Sequence, residues 1–134
     1  MNEKSIVRVR EVMTDNYHLV DGILMVNEAL DMMKKSGTHV LIIDKRNDDD
    51  EYGIVLLTDI AREVLAVNRA ADRINIYEIM SKPVVSVDPE MNIRYCARLF
   101  CSLGFSYAPV TNCGKLEGIV GYADLLLNDL YIDF

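Results

Sequence analysis

Residues 9–14, Val-Arg-Glu-Val-Met-Thr, return at 76–81 as Ile-Tyr-Glu-Ile-Met-Ser, and this return decides how the chain is read. Working outward, residues 9–44 align without a gap to residues 76–111. Val20-Asp21 falls on Val87-Asp88, and Gly37 falls on Gly104. After a loop two residues longer in the first half, Gly53-Ile54-Val55 with Asp59 matches Gly118-Ile119-Val120 with Asp124. Self-similarity of this kind marks a duplicated supersecondary unit. Two such copies are expected to pack face to face, because each alone would leave an apolar face in water.

Within each half the periodicities alternate. Tyr17 to Val20 and Val84 to Val87 are short runs rich in apolar and β-branched residues, which reads as strand. In the second half Ile93, Cys96, Ala97, Phe100 and Leu103 then recur at three- and four-residue spacing, the period of a helix. Asn92 is placed to cap its start, and Gly104 to supply the left-handed residue after its end. The first-half helix has the same ending at Gly37, but Met25 stands where Asn92 does. His39 to Ile43 and Tyr107 to Thr111 read as strands joined by short turns to Gly53–Leu57 and Gly118–Tyr122, which favours hairpins. A second helix follows Thr58 or Ala123. In the first half it is expected to reach Arg69, with Ile60, Val64 and Val67 on one side. The expected fold is therefore α/β, two tandem β-α-β-β-α repeats over 9–69 and 76–130, joined by residues 70–75.

Length and composition limit the function. A chain of 134 residues makes about one compact domain, not a large multidomain enzyme. Its formal charge of −7 repels phosphate backbones, so no nucleic-acid partner is expected. No apolar run approaches the ~18–20 residues that span a bilayer, and the first residues lack a secretory stretch. A cytoplasmic chain with no membrane association is expected. Cys96, Cys101 and Cys113 are odd in number and match no zinc spacing, even with His18 and His39 added. They read as reduced thiols packed in the interior.

Met-Thr or Met-Ser before a strand, a helix ending in Gly, Ala108-Pro109-Val110, and Gly-Ile-Val followed by Asp occur in one order, twice. This order resembles a pair of CBS domains, the Bateman module, over about residues 9–130. The resemblance implies two halves related by a pseudo-twofold axis with two ligand clefts. It also implies a homodimer that senses AMP, ADP, ATP or S-adenosylmethionine and controls a separate partner protein. Adenine nucleotides would make that role energy sensing. Neither a catalytic activity nor a resident cofactor or metal is implied.

The family's ligand motif is Gly, two apolar residues, Thr or Ser, two free positions, then Asp. Asp59 and Asp124 match its last position, where a carboxylate accepts both ribose hydroxyls. Leu56 and Gly121 occupy the Thr or Ser position, and both remove a hydroxyl that would hold ribose or phosphate. Ser81, Lys82, Pro83 and Val84 match the segment beside the base, and Tyr107, Ala108 and Pro109 the strand on its other side. Their first-half equivalents are Thr14, Asp15, Asn16 and Tyr17, then His39, Val40 and Leu41, with Thr58 next to Asp59. Arg62 is within reach of a phosphate, whereas Leu127 at the matching place is not. Of the two clefts, the one at Asp124 is expected to be the better adenosine site, because Gly121 leaves room where Leu56 is bulky.

Each feature also has a plainer reading. Asp59 and Asp124 would favour a helix dipole by ~0.3–1 kcal/mol without any ligand. Asp21 and Asp88 read as turn residues, His39 as a strand residue, and Asp48-Asp49-Asp50-Glu51 as a solvated turn lacking the glycine of a calcium loop. The segment Leu125 to Ile132 is more apolar than a small terminal helix needs, which suggests burial against a second subunit. Two rivals to a metabolite sensor stand beside it. One is an interaction module that has lost its ligand; the other is an enzyme using Asp59 and Asp124 as an acid/base pair.

Overall fold

The computed structural model describes residues 6–82, 85–128 and 130. Their elements fall into two compact units, one within residues 16–84 and the other built from residues up to 15 and from 85 onward. In the first unit, β1 (His18–Val20) lies parallel to β2 (Val40–Ile43), with Leu19 opposite Ile42. β3 (Gly53–Leu56) runs antiparallel to β2, with Val40 opposite Leu56. All four residues of β2 are buried, as expected of a central strand whose two faces are both covered. Val20, Leu41 and Val55 of the sheet pack with Val26, Ala29 and Met33 of α2 (Val26–Ser36).

Met25 does begin α2, but another side chain does the capping: the Glu28 carboxylate accepts the Met25 N–H at 3.0 Å. Gly37 ends the helix at φ 76°, in the left-handed region where glycine is favoured. The helix after β3 departs from expectation. α3 (Leu57–Ile60) passes into a π-helical turn, Ala61–Leu65, in which the N–H of Ala66 bonds to the Ala61 carbonyl at 2.9 Å. The wider turn keeps Ile60 and Val64 buried but rotates Val67 out, leaving it 56% exposed, so the expected apolar face stops short of Arg69. The join is also less featureless than its composition suggests. Ala71–Arg73 is a 3₁₀ turn, and Ile74 beyond it is buried, its carbonyl accepting the Val26 N–H at 2.9 Å.

In the second unit β4 (Tyr107–Asn112) and β5 (Lys115–Gly121) form an antiparallel hairpin with a register shift at Val110/Thr111. α1 (Val9–Val12), α4 (Ile93–Leu103) and α5 (Tyr122–Leu126) complete it. Asn92 caps α4 as expected, its Oδ1 accepting the Arg94 N–H at 2.9 Å, and Gly104 ends it at φ 73°. Ile93, Cys96 and Phe100 face the core. Leu103 does not; it is exposed at the helix end. Of the expected strand at 84–87, Val84 lies outside the described residues and Val87 makes a single parallel bridge to Val110. Cys96 is buried, but Cys101 and Cys113 are exposed, so interior packing accounts for one thiol of three.

The sequence repeat and the compact unit do not coincide. Thr14 of the first repeat bonds with Ile119 of β5 in both directions at 2.9 Å. Ser81 of the second repeat does the same with Ile54 of β3 at 3.0 and 3.1 Å. Each repeat thus lends its leading segment to the sheet that the other repeat builds, using equivalent positions. Backbone groups on the outer side of β3 and β5 are satisfied in this way.

Candidate functional site

Both units end a Gly-Ile-Val strand in a short helix whose third residue is an acid. The Asp59 Oδ2 accepts the Leu56 N–H at 2.8 Å, and the Asp124 Oδ2 accepts the Gly121 N–H at 2.8 Å. An acid at the third helical position that closes back on the capping N–H satisfies an otherwise orphaned donor, so half of each carboxylate is structural.

The other halves differ. The Asp59 Oδ1 takes a hydrogen bond from the Arg62 Nη1 at 3.1 Å, and this side chain is only 18% exposed. Arg62, expected to face a phosphate, is turned onto the acid one helical turn before it. The Asp124 Oδ1 has no partner among the described residues. Burial raises the pKa of this carboxyl above its ordinary value, partly opposed by the Gly121 N–H. A half-buried carboxylate with one unengaged oxygen is an acceptor awaiting a donor, and adjacent hydroxyls would supply two.

The expectation that Gly121 leaves room is overturned. Tyr107 stands opposite Gly121 in the hairpin, and a Cβ on Gly121 would lie 2.6 Å from the Tyr107 Cε1. The ring fills the space the glycine vacates, as cross-strand aromatics do beside glycines. Ala108 and Pro109 are buried in β4, where the Pro109 carbonyl accepts the Val87 N–H at 2.9 Å.

In the first unit Tyr17, His39, Leu56, Thr58 and Asp59 gather at one end of the sheet. His39 and Thr58 are exposed, and the His39 carbonyl accepts the Leu57 N–H at 3.0 Å. Thr14, grouped with them by sequence, is bonded into the second unit. Ser81 and Lys82, grouped with Asp124, are bonded into the first. Pro83 and Val84 lie outside the described residues. Asp21 and Asp88 are turn residues as expected, accepting the N–H groups of Ile23 and Glu90.

Asp50 was missed by the solvated-turn reading. Its side chain is only 7% exposed, clasped by the Lys82 ammonium and, at 3.1 Å, by the Arg46 Nε. These cations, Lys82 foremost, hold its pKa well below the usual carboxylate range. The four-residue spacing of Arg46 and Asp50 was the one local signal for this arrangement. Among the described residues no cluster of His, Cys, Asp and Glu is suited to a metal ion.

A family model described as CBS domain matches residues 9–66 and 76–130. The hexameric CBS-CP12 protein from bloom-forming cyanobacteria superposes with a TM-score of 0.92 at 34% identity, over 98% of this chain and 77% of that one. The CBS domain pair of protein MJ0100, solved in complex with 5′-methylthioadenosine and S-adenosyl-L-methionine, shares the fold at 23% identity. Its TM-score is 0.77, over 90% of this chain and 94% of that one. An uncharacterized protein of Methanopyrus kandleri is 29% identical over 94 residues, 69% of this chain and 47% of that protein. The chain thus spans about half the length of the curated relative it matches.

Proposed function

The chain belongs to the CBS domain family, and from that membership we propose that it is a regulatory module that takes an adenosyl metabolite at Asp124 and passes its occupancy to a partner protein. CBS pairs act as regulatory rather than catalytic units, so the reading of Asp59 and Asp124 as an acid/base pair gains no support from the match. The observation that carries the proposal is the asymmetry of the two acids: Arg62 closes Asp59, while the second oxygen of Asp124 has no partner among the described residues. The ligands of the MJ0100 pair support the choice of adenosyl compounds.

A homo-oligomer built on dimers is part of the same reading. It is supported by the hexameric relative and by Leu126, Leu127 and Leu130, exposed at the last residue of α5 and just beyond it. Light scattering should then give a particle at least twice the 15.2 kDa chain mass. One observation favours a module that has lost its ligand: Tyr107 occupies the position of the motif hydroxyl at Gly121.

Calorimetric titration with AMP, ADP, ATP and S-adenosylmethionine separates the two readings. Asp124→Asn keeps the capping oxygen and removes the charge. It should cost ~1.5–3 kcal/mol, roughly ten- to a hundredfold in affinity, with Asp59→Asn costing less. Absence of heat with all four compounds at millimolar concentration would establish the ligand-free module. Loss of binding in Asp59→Asn alone would move the site to the other unit.

A further inference from the structure

The first unit holds a cavity of about 690 Å³ that is not at the Asp59 end of its sheet. It opens where β1 and β2 finish, at Val20, Asp21, Ile43 and Asp44, a strand length away, about 10 Å at ~3.4 Å per residue. Its volume falls within the ~300–1,000 Å³ typical of small-molecule sites.

Its floor is apolar, formed by Val20, Ile43 and Met80, the last a side chain that adapts to irregular shapes. Tyr77 forms one wall. Tyr77 is brought against the end of β1 because Gly22 has no side chain: a Cβ there would lie 3.1 Å from the Tyr77 Cβ, and the Tyr77 N–H bonds to the Gly22 carbonyl at 3.0 Å. Half of the Tyr77 surface remains exposed, and its hydroxyl has no partner among the described residues. This wall suits a flat apolar body.

The polar lining is unequal in depth. Lys45 and Lys82 are partly buried, whereas Asp21 and Asp44 are exposed and each spends an oxygen on its own turn, on the Ile23 and Lys45 N–H groups. Arg46 uses only its Nε on Asp50, so its terminal guanidinium nitrogens have no partner among the described residues. Lys82 is neutralised by the buried Asp50 carboxylate, and the Arg46 side chain is 81% exposed, so the cavity presents a solvated guanidinium at its rim. In a chain of net charge −7, the cavity lining sets Lys45, Arg46 and Lys82 against Asp21 and Asp44, with Asp50 behind Lys82 and Arg46, a local balance less acidic than that of the chain.

We propose that this cavity is a second ligand site, separate from the Asp124 site, which takes an organic anion with a flat apolar body lying on Tyr77 and its carboxylate or phosphate group toward Arg46 and Lys45. The inference stands whether or not an adenosyl compound binds at Asp124.

The test titrates the ¹⁵N-labelled full chain with indole-3-acetate, uncharged indole-3-acetamide and inorganic phosphate, followed by two-dimensional NMR. Indole-3-acetate should shift the amides of Gly22, Arg46 and Tyr77 saturably. The amide should bind about tenfold or more weakly for want of a charged acceptor, and phosphate weakly for want of an apolar body. Arg46→Gln should abolish the preference for acid over amide, and Tyr77→Ala should weaken both. Equal binding of acid and amide by the unaltered chain overturns the proposal. So do saturable shifts confined to residues 56–59 or 121–124, or no saturable shift up to about 20 mM, a range that fragment-sized ligands reach.

Discussion

Gly121→Ala tests whether Tyr107 and Gly121 are one packing unit. The added Cβ would lie 2.6 Å from the Tyr107 Cε1, 2.8 Å from its Cδ1 and 3.3 Å from the Ser106 carbonyl oxygen. Carbon atoms pack at ~3.5–4.0 Å, so the ring edge must retreat by about 1 Å. Overpacking of this kind costs ~1–3 kcal/mol. At ~4 °C per kcal/mol for a chain of this size, the melting temperature should fall by about 4–12 °C. Tyr107→Ala removes the obstacle, so adding Gly121→Ala in that background should cost much less. Thermal and urea denaturation of the four proteins in the double-mutant cycle gives the coupling directly, and it should exceed ~1 kcal/mol. A coupling below ~0.5 kcal/mol, the level expected of independent sites, would refute the packing argument. The same cycle bears on function: Gly121→Ser with Tyr107→Ala restores the motif hydroxyl and should tighten binding of whichever adenosyl compound the unaltered chain takes.

Three further outcomes are expected. Phe100 is fully buried, with its ring 5.0 Å from Phe105 and 5.3 Å edge-on to Tyr122, so Phe100→Ala should cost ~3–5 kcal/mol in equilibrium unfolding. Burial raises the folded-state pKa of Asp124, so the folded chain holds that proton more tightly than the unfolded chain. The stability this gives is complete below the ordinary carboxylate value of 3.8 and is lost as pH rises through the raised one. Measured without ligand, Asp124→Asn should therefore gain on the unaltered protein as pH rises across that window; a constant difference would count against the shift. Desolvation pushes the Cys96 thiol up to about 11, so iodoacetamide at mild alkaline pH should label Cys101 and Cys113 of the folded chain and spare Cys96, as read by mass spectrometry.

The sequence by itself determined the duplication, the α/β class and most of the elements. Those depend on local periodicity and local chemistry: the three- and four-residue spacing of Ile93, Cys96 and Phe100, the cap at Asn92, the left-handed glycines at 37 and 104, and the hairpin order. It also placed an acid on the first turn after each Gly-Ile-Val strand. Only the tertiary structure decided what those acids are free to do, because an oxygen's availability depends on neighbours that spacing alone does not order: Arg62 on Asp59, and, among the described residues, the Gly121 N–H alone on Asp124. The same holds for Tyr107 filling the space at Gly121, and for Asp50 drawn out of water by Lys82, thirty-two positions along the chain. The exchange of leading segments was invisible for a related reason. Thr14 pairs with Ile119 and Ser81 with Ile54, partners far off in the chain that the local sequence around each segment does not specify.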